Sequence, residues 1–215
     1  MNSAIHQSVL KRAIDLTVAI AALVALSPVL ICICALVRIF IGAPVFFRQE
    51  RSGLGGRPFR IFKFRTMTDG LDANGHTQPD SDRLTRLGAV LRTSSLDEIP
   101  ELINIVKGEM SLVGPRPLLC KYLDLYNPAQ ARRHLLRPGI TGWAQIHGRN
   151  TLSWEQRFEL DVWYVDNRSI WLDIKILGIT AWKVFRREGI NQVGHATTAE
   201  FLGKQASTET GSTRN

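Results

Sequence analysis

Leu16 to Val37 reads LTVAIAALVALSPVLICICALV, with no charged side chain, between Lys11, Arg12 and Asp15 on one side and Arg38 on the other. A helix needs about 20 predominantly apolar residues to match bilayer hydrocarbon, and this run meets that requirement. Ser27-Pro28 falls in its middle. Proline has no backbone N–H to donate, so the helix is expected to kink there. A straight span would carry the Arg- and Lys-rich remainder across the membrane, and cations flank both ends of the run where the positive-inside rule expects an asymmetry. A helix bent at its midpoint, dipping into one leaflet and returning, keeps both ends on one side and suits those flanks. A kinked span and a buried helix of a soluble core are the alternatives. A cleavable signal peptide fits poorly, because the apolar region is too long and no small-residue cleavage pattern closes it.

The whole chain has 215 residues, 45% of them hydrophobic, which is enough to bury a core and excludes a wholly disordered protein. Its formal net charge of +8 calls for an anionic partner: nucleic acid, membrane phospholipid or a phosphorylated substrate. Cys32, Cys34 and Cys120 are an odd number with two inside the apolar run, so no disulfide framework is written and a reducing location is the simpler reading.

Val45 to Gln49 and Phe59 to Thr66 are rich in β-branched and aromatic residues and are separated by Gly53, Gly55, Gly56 and Pro58, the pattern of a small β-hairpin. A glycine nest for an anion is the other reading of that turn, but no Lys-Ser or Lys-Thr follows as in a P-loop. Lys63 and Arg65 alternate along the second strand and are expected to point to one side, toward phosphate or toward solvent. Asp69 to Asp82 has no periodicity and reads as a loop. Leu84, Leu87 and Leu91 predict a helix, and Leu102 to Val106 a second one ending near Lys107-Gly108. Trp171 to Arg187 reads as an amphipathic surface helix, with Ile174, Leu177, Ala181, Val184 and Phe185 apolar and Lys175, Lys183, Arg186 and Arg187 near headgroups; an ordinary packed helix fits the same pattern. The expected fold is α+β: mostly helical, with a re-entrant kinked membrane helix, a small β-hairpin and amphipathic surface helices.

The start of the second helix holds the most informative residues. Ser95 and Glu98 have capping-box spacing, yet a helix begun at Ser95 would place Pro100 where a hydrogen bond is forfeited. With Asp97 as cap, Pro100 falls where no intrahelical donor is needed. Either start puts Asp97 and Glu98 in the first turn, where the helix dipole favours negative charge. Capping alone would explain two acids. Downstream, however, Arg116 stands between Pro115 and Pro117, whose restricted dihedrals fix where a guanidinium suited to phosphate points. Arg132, Arg133, His134 and Arg137 follow, then PGITGW from Pro138 to Trp143, then Gly148-Arg149-Asn150. Together they surround two carboxylates with cations.

Phe59 to Met67, Arg92 to Leu102, Met110 to Leu118, Arg137 to Gln145, Gly148 to Asn150 and Trp154 to Asn167 are the stretches in which the chain resembles the bacterial sugar transferases of the monotopic phosphoglycosyl transferase superfamily. The likeness runs from Lys11-Arg12 to about Gly203 and is closest to the small forms with only the catalytic domain. It implies a monotopic protein on the cytosolic face of the bacterial inner membrane, with an anchor over residues 1–42 broken at Ser27-Pro28. A catalytic domain over 43–204 and a disordered Ser/Thr-rich tail over 205–215 complete the expected organisation. The implied reaction transfers a sugar 1-phosphate from a UDP-sugar to polyprenyl (undecaprenyl) phosphate and releases UMP, the first membrane step of bacterial glycan assembly (exopolysaccharide, O-antigen or glycoprotein). In it Asp97 is the nucleophile and forms a covalent phosphosugar, while Glu98 binds metal or assists the acceptor; Mg2+ or Mn2+ on Asp97 and Glu98 is the implied cofactor. Arg116 and Arg149, then Arg92, Lys63 and Arg137, are the candidates for holding phosphate or nucleotide. Glu101 stands where many members have Gln, and His147 where many have Asn. The Glu188 to Gly203 stretch bears a loose likeness to members that take N-acetylated or diacetylated amino sugars.

The rival from another class is a non-catalytic, membrane-tethered basic module that binds anionic lipid; it accounts for the charge but not for the acidic pair or the Pro115-Arg116-Pro117 segment. A metal-dependent phosphatase would release its product into water. No zinc-finger spacing or RNA-binding aromatic motif supports nucleic acid as a partner. Oligomeric state is not written in the sequence.

Overall fold

The computed structural model describes residues 2–70, 76, 78–148, 151–186 and 200–203, with side chains from residue 9 onward. Arg149, Asn150, most of the Glu188 to Gly203 stretch, part of the Asp69 to Asp82 loop and the 205–215 tail lie outside the described residues.

Two helices occupy the apolar run, α1 (Asn2–Ala25) and α2 (Ser27–Phe40). They bend by 63° at Leu26. Proline at position 28 has no N–H to offer the Val24 carbonyl, and the Ser27 hydroxyl donates to that carbonyl instead, at 2.8 Å. The ladder then resumes from Leu30 N to Leu26 O at 2.9 Å. No single described helix is long and apolar enough to cross a membrane; the bent pair has the length and composition only when taken together.

The hairpin forms as expected, with β1 (Phe46–Ser52) antiparallel to β2 (Pro58–Phe64) around a 3₁₀ turn at Leu54–Gly56. β1 runs three residues past the predicted Gln49, so Arg51 lies in the sheet. A short α3 (Asp80–Arg83) interrupts the predicted loop, and Leu84 sits outside the following helix in an isolated bridge to Met67. α4 (Arg86–Thr93) is capped by Thr85, whose hydroxyl accepts from Gly88 N. A Cβ at Gly88 would come within 1.9 Å of the Thr66 carbonyl, so only glycine lets α4 lie this close to the end of the hairpin.

Neither predicted helix start is used. Ser95 adopts the left-handed region at φ 56°, Leu96–Glu98 form a 3₁₀ turn, and Pro100 is the cap of α5 (Glu101–Lys107). Pro100 ends the tight turn because its fixed φ continues the chain without needing a donor. Asn104, fully buried, takes the Phe62 amide at 3.0 Å and donates to the Arg60 carbonyl at 2.8 Å, which pins α5 to β2.

A second two-stranded sheet, not foreseen in the sequence, pairs β3 (Ser111–Val113) in parallel with β4 (Gly139–Thr141). Three residues per strand leave too little pattern to read. After α6 (Pro128–Ala131), α7 (Trp143–His147), α8 (Trp154–Asn167) and α9 (Ile170–Arg186) complete the described chain. The main core joins Ala19 of α1 with Ile61, Leu102, Ile105, Met110, Val113, Tyr164 and Ile176. On α9 the expected apolar face divides. Leu177 packs toward the core beside buried Ile176, whereas Trp171, Ile174, Trp182 and Phe185 form an exposed stripe. Buried Asp173 sets that rotation by accepting from Lys11 at 2.7 Å and from the Tyr164 hydroxyl at 2.5 Å.

The charges that open α1 are all engaged by the rest of the protein. Arg12 donates to the carbonyls of Ile105 and Val106 at 2.7 and 3.1 Å, satisfying the end of α5. Asp15, 4% exposed, accepts from the Ser111 hydroxyl at 2.7 Å and the Leu112 amide at 3.3 Å. Asp15→Ala would leave the buried Leu112 amide unpaired and the Ser111 hydroxyl with the Val113 carbonyl alone, and is expected to cost about 1–3 kcal/mol, read as a lowered midpoint in thermal or denaturant unfolding of the detergent-solubilised protein.

Candidate active site

Three segments distant in sequence meet at Glu98. Lys63, on the inward face of β2, donates to Glu98 Oε1 at 2.5 Å and lies 3.2 Å from Glu101 Oε1. Arg116 donates through Nη2 to the same Glu98 oxygen at 2.7 Å. Its backbone is placed by contacts that only glycine permits: a Cβ on Gly142 would stand 2.2 Å from the Gly114 carbonyl. The Arg116 carbonyl in turn accepts from Arg133 at 2.6 Å, and Arg133 is held in a buried ion pair with Asp161 at 2.8 Å.

Asp97 is treated differently. It is 9% exposed and makes no hydrogen bond or ion pair with any described residue. Burial, reinforced by the neighbouring Glu98 charge, pushes its carboxyl up to about 6, against the pull of Lys63, Arg92 and Arg116. The helix dipole therefore does not govern this group, as it would have at a helix start. For Glu98, burial acts upward too, but Arg116 and Lys63 outweigh it and hold the acid well below the usual carboxylate range. Glu101, 2% exposed, is raised to about 7 by burial and by Glu98, with Lys63 opposing.

Of the other residues expected at the site, Arg92 acts on Asp97 electrostatically while its Nε donates to the Thr66 hydroxyl at 3.0 Å. Arg137 donates to the Gly108 carbonyl at 2.9 Å, beyond the far end of α5. Arg149 is outside the described residues. Arg65, expected on the side of Lys63, instead reaches the Ala43 carbonyl at 2.5 Å and ties down the exit from α2, because β2 ends one residue earlier. The basic run at 132–137 disperses: Arg132 pairs with Asp166 on the surface, Arg133 is buried, and His134 sits beside the Gly53 carbonyl.

Two participants were missed. Glu101 stood out only as an unusual residue, although its place three positions after Glu98 carries it back to the same lysine. Arg51 lay beyond the predicted strand. Extending the Phe46–Phe64 register along the hairpin puts it on the face of Lys63.

No group of three or more His, Cys, Asp or Glu among the described residues converges on a metal position. Magnesium sites in phosphoryl-transfer enzymes commonly use one or two carboxylates plus substrate phosphates, and the adjacent pair Asp97 and Glu98 fits that smaller donor set.

A model of the bacterial sugar transferase family matches residues 6–187. The chain belongs to that family. It is 56% identical over 195 residues to an uncharacterized sugar transferase, EpsL, of Bacillus subtilis (strain 168), covering 91% of this chain and 96% of that protein. With the UDP-glucose:undecaprenyl-phosphate glucose-1-phosphate transferase of Escherichia coli (strain K12) it shares 42% over 186 residues, covering 82% of this chain but 40% of that longer enzyme. With the UDP-N-acetylgalactosamine-undecaprenyl-phosphate N-acetylgalactosaminephosphotransferase of Aeromonas hydrophila it shares 38% over 176 residues, 78% of this chain and 42% of the relative.

Within this sugar transferase, Lys63 separates two buried acids. Lys63→Met keeps the aliphatic stem and removes the charge, leaving Arg116 as the remaining counter-charge against the repulsion between Glu98 and Glu101. The expected loss is about 2–3 kcal/mol in chemical denaturation at neutral pH, between the values for exposed and fully buried pairs. The loss should shrink as pH falls through the Glu101 range near 7, where that acid becomes neutral.

Proposed function

We propose that this sugar transferase moves a sugar 1-phosphate from a UDP-sugar to polyprenyl phosphate, releasing UMP, through a covalent intermediate on Asp97. The observation that carries the reading is the contrast between neighbouring acids. Glu98 is engaged by two cations through its Oε1, while Asp97 makes no hydrogen bond with any described residue and lies in a cationic surround. A carboxylate raised to about 6 is still ionised at neutral pH and is more basic than an ordinary aspartate, which favours nucleophilic attack.

In the first step an Asp97 carboxylate oxygen attacks the β-phosphorus of the donor. A bond from that oxygen to phosphorus forms, the bridging bond to the α-phosphate breaks, and UMP leaves with the electron pair. Arg116, Lys63 and Arg92 stabilise charge on the phosphoryl oxygens. In the second step an oxygen of polyprenyl phosphate attacks the same phosphorus, and the Asp97 carboxylate departs, leaving sugar diphosphate on the lipid. Mg2+ or Mn2+, held by Asp97 and Glu98 with the donor phosphates, would supply additional positive charge against the repulsion between nucleophile and diphosphate. The names of the relatives, which act on UDP-glucose or UDP-N-acetylgalactosamine with undecaprenyl phosphate, agree with this substrate class.

Asp97→Asn is expected to abolish UMP release from the UDP-sugar and polyprenyl phosphate, and mass spectrometry of the parent incubated with donor alone should find a phosphosugar adduct on Asp97. Undiminished turnover in the variant would refute the nucleophile. For the parent, kcat/KM for donor should fall as pH drops below about 6, where Asp97 takes up its proton, rather than near the lower range of ordinary carboxylates.

The bent pair α1–α2 and the exposed stripe of α9 support a monotopic placement, with α1–α2 re-entering the leaflet in which the acceptor phosphate lies. Cysteines introduced near Asn2 and near Gly211 should both be labelled from the cytosolic side; labelling from opposite sides would refute the hairpin.

A further inference from the structure

Arg51 is a charged side chain in this region that the scheme above leaves unused. Residues 47, 49 and 51 of β1 pair with 63, 61 and 59 of β2, so Arg51 shares the hairpin face that presents Lys63 to the acids. The next residue, Ser52, fastens that end of β1 to the Arg116 segment, with its amide and hydroxyl both on the Leu118 carbonyl at 2.9 and 3.1 Å. That joint brings Arg51 within electrostatic reach of Arg116. Its one hydrogen bond is to a neutral group, Gln49 Oε1 at 2.6 Å, and its Nε is buried without a partner. No carboxylate of a described residue pairs with it. Burial and the nearby Arg116 charge act to lower its affinity for a proton and outweigh the opposing pull of Glu101, which makes no ion pair with it. Glu98, the acid shared by Arg116 and Lys63, has no oxygen engaged with Arg51.

A half-buried guanidinium without an anion is costly to keep, and the planar fork of arginine suits phosphate. We infer that Arg51 and Arg116 together form a phosphoryl-binding pair, in which Arg51 takes the phosphate oxygens that Arg116, already committed to Glu98, does not reach. The assignment rests on the proposed phosphosugar transfer. Phosphate arrives there from two sources, the diphosphate of the nucleotide sugar and the monophosphate of the lipid acceptor, and the two half-reactions separate them.

The test uses the full chain in detergent or nanodiscs, comparing parent, R51K and R51Q. If Arg51 holds the donor diphosphate, R51Q lowers kcat/KM for the UDP-sugar and weakens UDP binding in calorimetry by about 10- to 100-fold, with R51K between, while kcat/KM for polyprenyl phosphate changes little. If it holds the acceptor phosphate, the larger loss falls on the second half-reaction and UDP binding is retained. Both outcomes support the pair. A supporting result also includes apo R51Q melting no lower than the parent, since an uncompensated charge is removed, whereas a purely structural arginine would lower the melting temperature. Unchanged constants in both half-reactions, or a loss of affinity that merely tracks a lowered melting temperature, would overturn the Arg51 assignment alone. A parent that neither binds UDP nor forms an adduct would overturn it together with the proposed transfer.

Discussion

One carboxylate oxygen, Oε1 of Glu98, accepts from Lys63 and from Arg116, and that shared acceptance ties the hairpin, the turn before α5 and the Pro115-Arg116-Pro117 segment to one point. Each of the three brings a charge that would be unfavourable in a half-buried position alone. Glu98 gives two cations a common counter-ion and is itself kept ionised by them. The arrangement frees its neighbour: with the cations' hydrogen bonds taken by Glu98, Asp97 feels their field without being bound by it. Two adjacent acids thus acquire opposite electrostatic characters from the same pair of bases, the pattern that separates a positioning group from a reacting one.

The scaffold behind that point is made of polar contacts that also reach the amino-terminal helix. Arg133, neutralised by Asp161, carries the Arg116 carbonyl. Asn104 fastens α5 to the strand that bears Lys63. Arg12 closes the far end of α5, and Asp15 holds the first residues of β3, four residues before Arg116. α5, which follows the acids, and β3, which leads to Arg116, are both hydrogen-bonded to α1.

How much of this was legible in the sequence follows from the range of each interaction. The break at Ser27-Pro28 and the hairpin depend on local chemistry, namely a missing amide and glycines in a turn, and they stand where the sequence put them. The acidic pair and Arg116 were recognised together because their motifs travel together in a known family. The start of α5 was misplaced because local capping preferences at Ser95 and Asp97 were overridden by distant bases that claim Glu98. Arg65, read as facing phosphate or solvent, and Arg133, read only as part of a basic cluster, are braces, since nothing in a run of cations says which will find a buried acid or carbonyl. The parallel pairing of β3 with β4 needed a contact between residues 111 and 139 that no short pattern encodes.

The elbow at Leu26 carries one last implication. Bending a helix ordinarily strands a carbonyl that must then find water, and such a group is poorly tolerated in oil. Here the Ser27 hydroxyl quenches the Val24 oxygen from within the chain. The corner thus brings part of its own solvation: one of the carbonyls freed by the bend is met from within the chain, and a dry setting has that much less to supply.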